Sequence, residues 1–223
     1  HVITASAGAN GSIAPSGSVN VNHGSNQPFN FTPSTGYHVD SLIVDGVNQA
    51  AAASYTFTNV TIAHTIRVTF AINVYTIVAS AGANGSIAPS GSVNVNHGSN
   101  QTFNFTPSTG YHVDSLIVDG VNQAAAASYT FTNVTTTHTI RVTFAINVYT
   151  ISASSGSNGS IAPTGSVNVN HGSNQTFNFT PSTGYQVDSV IVDGVNQAAS
   201  ASYTFTNLTI AHTIRVTFAI NVY

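Results

Sequence analysis

The sequence predicts an all-β protein of three tandem units, and three observations carry the prediction. Shifting the chain by 74 places superimposes it on itself, short apolar runs alternate with Asn and Thr, and turn residues separate the runs. The units span residues 1–74, 75–148 and 149–222, with Tyr223 beginning a fourth. Only 13 of the 74 columns differ among the three copies and 61 are identical. Such near-identity points to recent duplication or homogenisation. Selection for length or valency explains it more readily than selection for three separate chemistries.

Taken in order, the first unit reads as strand and turn throughout. Ile3 and Ala5 recur in every copy while Val2/Thr76/Thr150 and Thr4/Val78/Ser152 vary, which places the invariant pair inward and the varying pair in water. Val19 and Val21 alternate with Asn20 and Asn22, and Phe29 and Phe31 with Asn30 and Thr32. Asp45-Gly46, between Leu42-Ile43-Val44 and Val47, suits a two-residue type I′ hairpin. Tyr55 and Phe57, then Ile66, Val68 and Phe70, supply the last two alternating runs. Leu42/Leu116/Val190 and Val60/Val134/Leu208 exchange one aliphatic for another, as core positions tolerate. Further turns fall at 9–11, 15–17, 23–24 and 33–36, and the helix-favouring stretch 50–53 is too short to propagate. We expect about six short strands per unit and little or no helix.

Between units, the run from Thr65 to Phe70 passes into Ala71-Ile72-Asn73-Val74-Tyr75 with no Gly, Pro or charge. A flexible linker has a different composition. The last strand of one unit is therefore expected to pass almost directly into the first strand of the next, stacking the units into an extended rod.

Composition excludes most functional classes. Cys, Met, Trp, Lys and Glu are all absent, and three Arg and six Asp are the only fixed charges. Phosphates cannot be neutralised without basic clusters, so nucleic acid is excluded as a partner. No apolar run is long enough to span a bilayer as a helix. Disulfides, thiolate metal sites and Cys nucleophiles are excluded by the missing Cys. Without Met, the chain is expected to follow a processing boundary and to be a piece of something longer.

The unit also carries Gly-Ser-Ile followed by Pro and Gly, Phe-Asn-Phe-Thr-Pro, Gly-Tyr-His-Val-Asp, Ile-Val-Asp-Gly, Tyr-Thr-Phe-Thr-Asn-Val and a closing Val-Thr-Phe. Over essentially the whole chain these motifs resemble the divergent internalin-type B repeat, or bacterial repeat domain, family. The resemblance implies small β-rich, β-grasp-like domains strung in tandem in secreted or cell-surface proteins of prokaryotes. It implies no catalytic residue, because the family is known mainly as stalk, spacer and adhesive architecture. The alternation by itself leaves a β-grasp and a small sandwich both open.

The chemistry-bearing residues give no catalytic set. His23, His97 and His171 sit in Asn-His-Gly turns, His64, His138 and His212 precede the last strand, and His38 and His112 give way to Gln186. We read them as structural or solvent-facing; a weak metal site would need an imidazole pair brought beside Asp40 or Asp45. Asp40 and Asp45 are the first unit's only acids, echoed by Asp114 with Asp119 and Asp188 with Asp193. Five residues along a strand set such a pair on opposite faces unless a bulge intervenes, which argues against a glycosidase pair. Asp45 is assigned to the turn, and Asp40 to pairing with Arg67 or backbone capping. No Gly-x-Ser-x-Gly elbow precedes a helix, and the segment around Gly8 to Gly11 lacks the Lys of a phosphate loop. Asn-x-Ser/Thr sequons begin at Asn10, Asn30 and Asn59 and recur in each copy; Asn30, Asn104 and Asn178, on the polar face, are sterically open to glycosylation.

The expected function is thus non-enzymatic and structural, with no cofactor and no metal: part of an extracellular filament or of a cell-surface stalk or adhesin, self-associating through neighbouring units or subunits. The alternative is an array of glycan-binding modules for a surface glycan, with Tyr37, Tyr55 and Tyr75 as stacking platforms if exposed. The absence of Lys forbids Lys-Asn isopeptide links, so any assembly is non-covalent or runs along the main chain.

Overall fold

The computed structural model describes residues 1–222, so the Tyr223 start of a fourth unit lies outside the described residues. In the first unit the strands are β1 (Val2–Ala7), β2 (Gly11–Ala14), β3 (Gly17–Asn20), β4 (Gln27–Pro33), β5 (Tyr37–Val44), β6 (Val47–Gln49), β7 (Ser54–Phe57) and β8 (His64–Ile72), and the other two units repeat the order. The expected six strands are therefore eight. β2 and β6 escaped the pattern because β2 sends only Ile13 fully inward and β6 buries nothing, so neither shows an alternation.

Two sheets build each unit. The larger has the order β3-β1-β8-β5-β6 and the smaller β2-β4-β7. β1 and β8, the first and last strands of the unit, pair in parallel at the heart of the larger sheet, while its other pairings are antiparallel. Ile3, Ala5, Leu42, Val44, Ile66 and Val68 from the larger sheet close on Ile13, Phe29, Phe31 and Phe57 from the smaller, with Val21 and Val60 filling the ends. No helix occurs among the described residues, and 50–53 are irregular, as expected. Of the two architectures left open, the structure has the sandwich: a second sheet, not a helix, covers the mixed sheet.

Alternation holds where the sequence predicts it. Val2 and Thr4 are exposed while Ile3 and Ala5 are buried, and Leu42 and Val60 lie in the core. It breaks once, at Asp40, where the β5–β8 register shifts between Val39 and Ser41. This bulge lets Val39 pack against the same core as Leu42 and Val44, which an unbroken strand would forbid. Asp45 and Gly46, with φ of 50° and 80°, form the expected hairpin with both central residues left-handed.

One close approach seals the sandwich edge. The Phe70 ring, from the end of β8, lies on the α-carbon of Gly11 at the start of β2, and Phe144 and Phe218 cover Gly85 and Gly159 in the same way. A methyl group at any of these glycines would overlap the ring. Gly82, by contrast, would set a Cβ 3.6 Å from the nearest Thr143 atom, ordinary contact. We therefore expect Gly85→Ala to destabilise the middle unit by about 1–3 kcal/mol and Gly82→Ala to change it by no more than about 0.5 kcal/mol, read as shifts in the urea midpoint at unchanged m-value.

Candidate functional site

Each hairpin is clasped to the strand beside it. The Asp45 backbone N–H donates to the Thr65 carbonyl (3.0 Å), the Thr65 N–H returns a bond to Asp45 Oδ1 (2.8 Å), and His64 Nδ1 lies 2.7 Å from Oδ2. The His64 ring leans on Phe57, with centroids 4.7 Å apart. Desolvation pushes the Asp45 carboxyl upward, but the Thr65 amide and the His64 ring outweigh it and hold its pKa below the ordinary carboxylate value. Asp119 with His138 and Asp193 with His212 repeat the clasp. The turn role assigned to Asp45 is thus joined by a His partner that sequence reasoning missed. Its signal was weak, because the two residues come from different strands and meet only when β5 and β8 pair.

Asp40 does not pair with Arg67: its Oδ2 accepts the Thr69 hydroxyl at 3.2 Å, and the ion pairs among the described residues are the three His–Asp clasps. The argument from opposite strand faces also fails at its premise, since the bulge does intervene. The two acids are nonetheless held apart, because their partners on β8, Thr65 and Thr69, are four residues distant, about 13 Å of strand, beyond the spacing of a glycosidase pair.

No group of three or more metal-ligating side chains gathers among the described residues, and no helix is long and apolar enough to cross a membrane. None of the described Tyr side chains is exposed: Tyr55, Tyr75, Tyr129, Tyr149 and Tyr203 pack against the cores, and Tyr37, Tyr111 and Tyr185 are half-buried. An open depression of about 400 Å³ beside Tyr111 is lined by Phe105, His112 and residues 125–127 and holds no charged group. Asn30, Asn104 and Asn178 stand exposed on the central strands of the smaller sheets.

The feature that relates one unit to the next is the seam. β8 ends at Ile72 and the next strand is Val74–Ala81, so Asn73 alone separates them. The strand hand-over expected from the composition is present. The Asn73 N–H donates to the Gly36 carbonyl in the unit behind it (2.8 Å), and its own carbonyl accepts the His97 N–H from the unit ahead (2.8 Å). Its side-chain Oδ1 lies 2.8 Å from His38 Nδ1. The His97 ring covers the α-carbon of Gly36, whose φ of 83° turns the loop beneath it, and it also meets Tyr75 with centroids 5.9 Å apart. Asn147 joins Gly110, His112, Tyr149 and His171 in the second seam. His97 and His171 are thus structural, but as contacts between units, which a turn motif does not reveal.

A family model described as the Divergent InlB B-repeat domain matches residues 1–74, 75–148 and 149–222. No curated protein matches the sequence. Among solved structures, the I9-I11 tandem from titin aligns at 7% identity over 97% of this chain and 95% of that one, with a TM-score of 0.15. The I67-I69 I-band fragment of titin aligns at 7% over 97% and 94%, TM-score 0.14. The N-terminal four Ig domains of Dscam1 isoform 4.44 align at 5% over 87% and 70%, TM-score 0.17. Scores this low carry no argument about fold or function.

The clasp gives a signed pH dependence. A carboxyl whose folded pKa is depressed contributes stability that is present above its unfolded value, about 3.9, and is lost as pH falls through the folded one. The melting temperature should fall as the solution is acidified below about pH 4. The triple variant Asp45→Asn, Asp119→Asn, Asp193→Asn, which keeps a side chain suited to the left-handed turn, should show a flatter acid limb.

Proposed function

Because the chain belongs to the Divergent InlB B-repeat domain family, we propose that it is a non-enzymatic structural repeat protein of the prokaryotic cell surface or exterior, part of a filament or of a stalk or adhesin. The observation that carries this reading is the seam. A single residue, tied by backbone hydrogen bonds to the units on both sides, leaves little freedom between neighbours. Such a connection suits a part whose work is to hold distance. Its mechanism is mechanical: buried Val, Ile and Phe hold each unit, the seams set stiffness, and the number of repeats sets length.

Capture of a glycan by aromatic stacking has less support, since Tyr55 and Tyr75 pack against the cores and Tyr37 is half-buried. Glycans borne by the protein are a separate matter. Asn30, Asn104 and Asn178 are the sites we assign for attachment, and the intact mass of native material reads their occupancy.

Solution scattering tests the shape. Three globules of radius of gyration roughly 11 Å set in line give a maximum dimension of order 100 Å, the expected result; a compact three-lobed particle would overturn the reading.

A further inference from the structure

The three clasps differ at one neighbouring position, and the difference is chemical. Two residues before the clasp histidine the middle unit carries Thr136, where the first and third carry Ile62 and Ile210. The Thr136 hydroxyl lies 3.4 Å from His138 Nε2, the ring nitrogen that Asp119 does not use. His138 Nδ1 lies 2.7 Å from Asp119 Oδ2, and the Thr139 N–H donates to Oδ1 at 2.7 Å. Hydroxyl, imidazole and carboxylate thus stand in a row that the other two units lack.

The protons of this row have assignable places. Against the desolvation that raises it, the Thr139 amide and the His138 ring hold the Asp119 carboxyl below its ordinary pKa. At neutral pH the carboxylate is ionised and can only accept, which sets the proton of a neutral His138 ring on Nδ1. The Nε2 lone pair is left facing Thr136, whose O–H donates to it. A hydroxyl beside a base that a third group orients is the arrangement of an activated nucleophile. The 3.4 Å separation is long, as such contacts are before a substrate closes on them. The row is held in place, because the His138 ring leans on the buried Phe131 with centroids 4.7 Å apart. It is also open: Thr136 and Asp119 are exposed, and the His138 side chain is 23% exposed.

We infer that Thr136 is an acyl-acceptor site, esterified by activated esters and thioesters. Thr136 Oγ1 attacks the donor's carbonyl carbon while His138 Nε2 takes the hydroxyl proton. The tetrahedral intermediate then collapses, the bond to the alkoxide or thiolate leaving group breaks, and His138 returns the proton to that group. One Thr136 ester and one alcohol or thiol are formed, with no change of oxidation state. Asp119 is a positioning residue, since it touches neither the hydroxyl nor the donor. An open site excludes little water and so favours donors that already carry a good leaving group. Each chain accepts one acyl group at this site, a modification that does not depend on the filament or stalk reading.

The test is a peptide map of the whole chain after incubation with p-nitrophenyl acetate at neutral pH, read once transient acyl-imidazoles have hydrolysed. Lys and Cys, the usual competitors, are absent, and the map separates the amino terminus from Thr136. A stable acetyl group is expected on Thr136 and on no other hydroxyl. Asp119→Asn should slow its formation about 100-fold or more, the scale of losing a correctly oriented general base, with the melting curve showing that the unit still folds. Ile62→Thr reads a gain that misfolding cannot mimic. Ile62 is 62% exposed, and Asp45 and His64 are already in place beside it, so a second acetyl group should appear at position 62. Acetylation spread evenly over exposed Ser and Thr, a Thr136 rate unchanged by Asp119→Asn, or an Ile62→Thr chain that gains nothing overturns the inference. Should Asp119→Asn unfold the unit, Ile62→Thr decides alone.

Discussion

Asn73 stands alone between two strands of adjoining units, and the relation of those units follows from its two backbone hydrogen bonds. The unit behind supplies the Gly36 carbonyl and the unit ahead supplies the His97 N–H, so the residue has no spare backbone group with which to swing. The constraint begins deeper in the sheet. Because β1 and β8 run parallel side by side, a chain leaving β8 exits at the opposite end of the unit from where β1 began. The next unit must therefore start beyond that end. An antiparallel pairing of first and last strands would have returned the chain to its origin and allowed neighbours to fold back on each other.

Scarcity of charge shapes how such a chain meets its surroundings. Three Arg and six Asp give a formal net charge of −3 at pH 7 with His neutral, which leaves little long-range repulsion between molecules. A β-protein with so few charges would ordinarily risk lateral pairing along its sheet edges. Here the edge strands of the first unit, β2, β3, β6 and β7, are only three or four residues long. The counterparts of β3 in the other two units, Gly91–Asn96 and Gly165–Asn170, run to six residues, so short edges blunt side-by-side association most fully in the first unit.

Much of the fold was legible because alternation and repetition reinforce each other. Ile3 and Ala5, Phe29 and Phe31, and Ile66 and Val68 were placed inward from period-two patterns, and the Asp45-Gly46 hairpin from the left-handed conformations its residues accept. The failures share a cause. β2 and β6 were too short to show a period, and the bulge at Asp40 left only a faint trace, two polar residues, Asp40 and Ser41, side by side between Val39 and Leu42. The His64 and His97 contacts join segments that are adjacent only after folding, so nothing near them in sequence announced them.

What the sequence by itself determined is the unit: its length, its β-class, its inward residues and the absence of any flexible linker between copies, all local or periodic properties written in residue order. The tertiary structure decided the rest. It set eight strands in two sheets around a parallel β1–β8 pair, turned Asp45 into a clasp, and made Gly36, Asn73 and His97 a joint. Those features depend on which strands become neighbours, a choice made by the combined burial of both sheets, which no single stretch of the chain encodes.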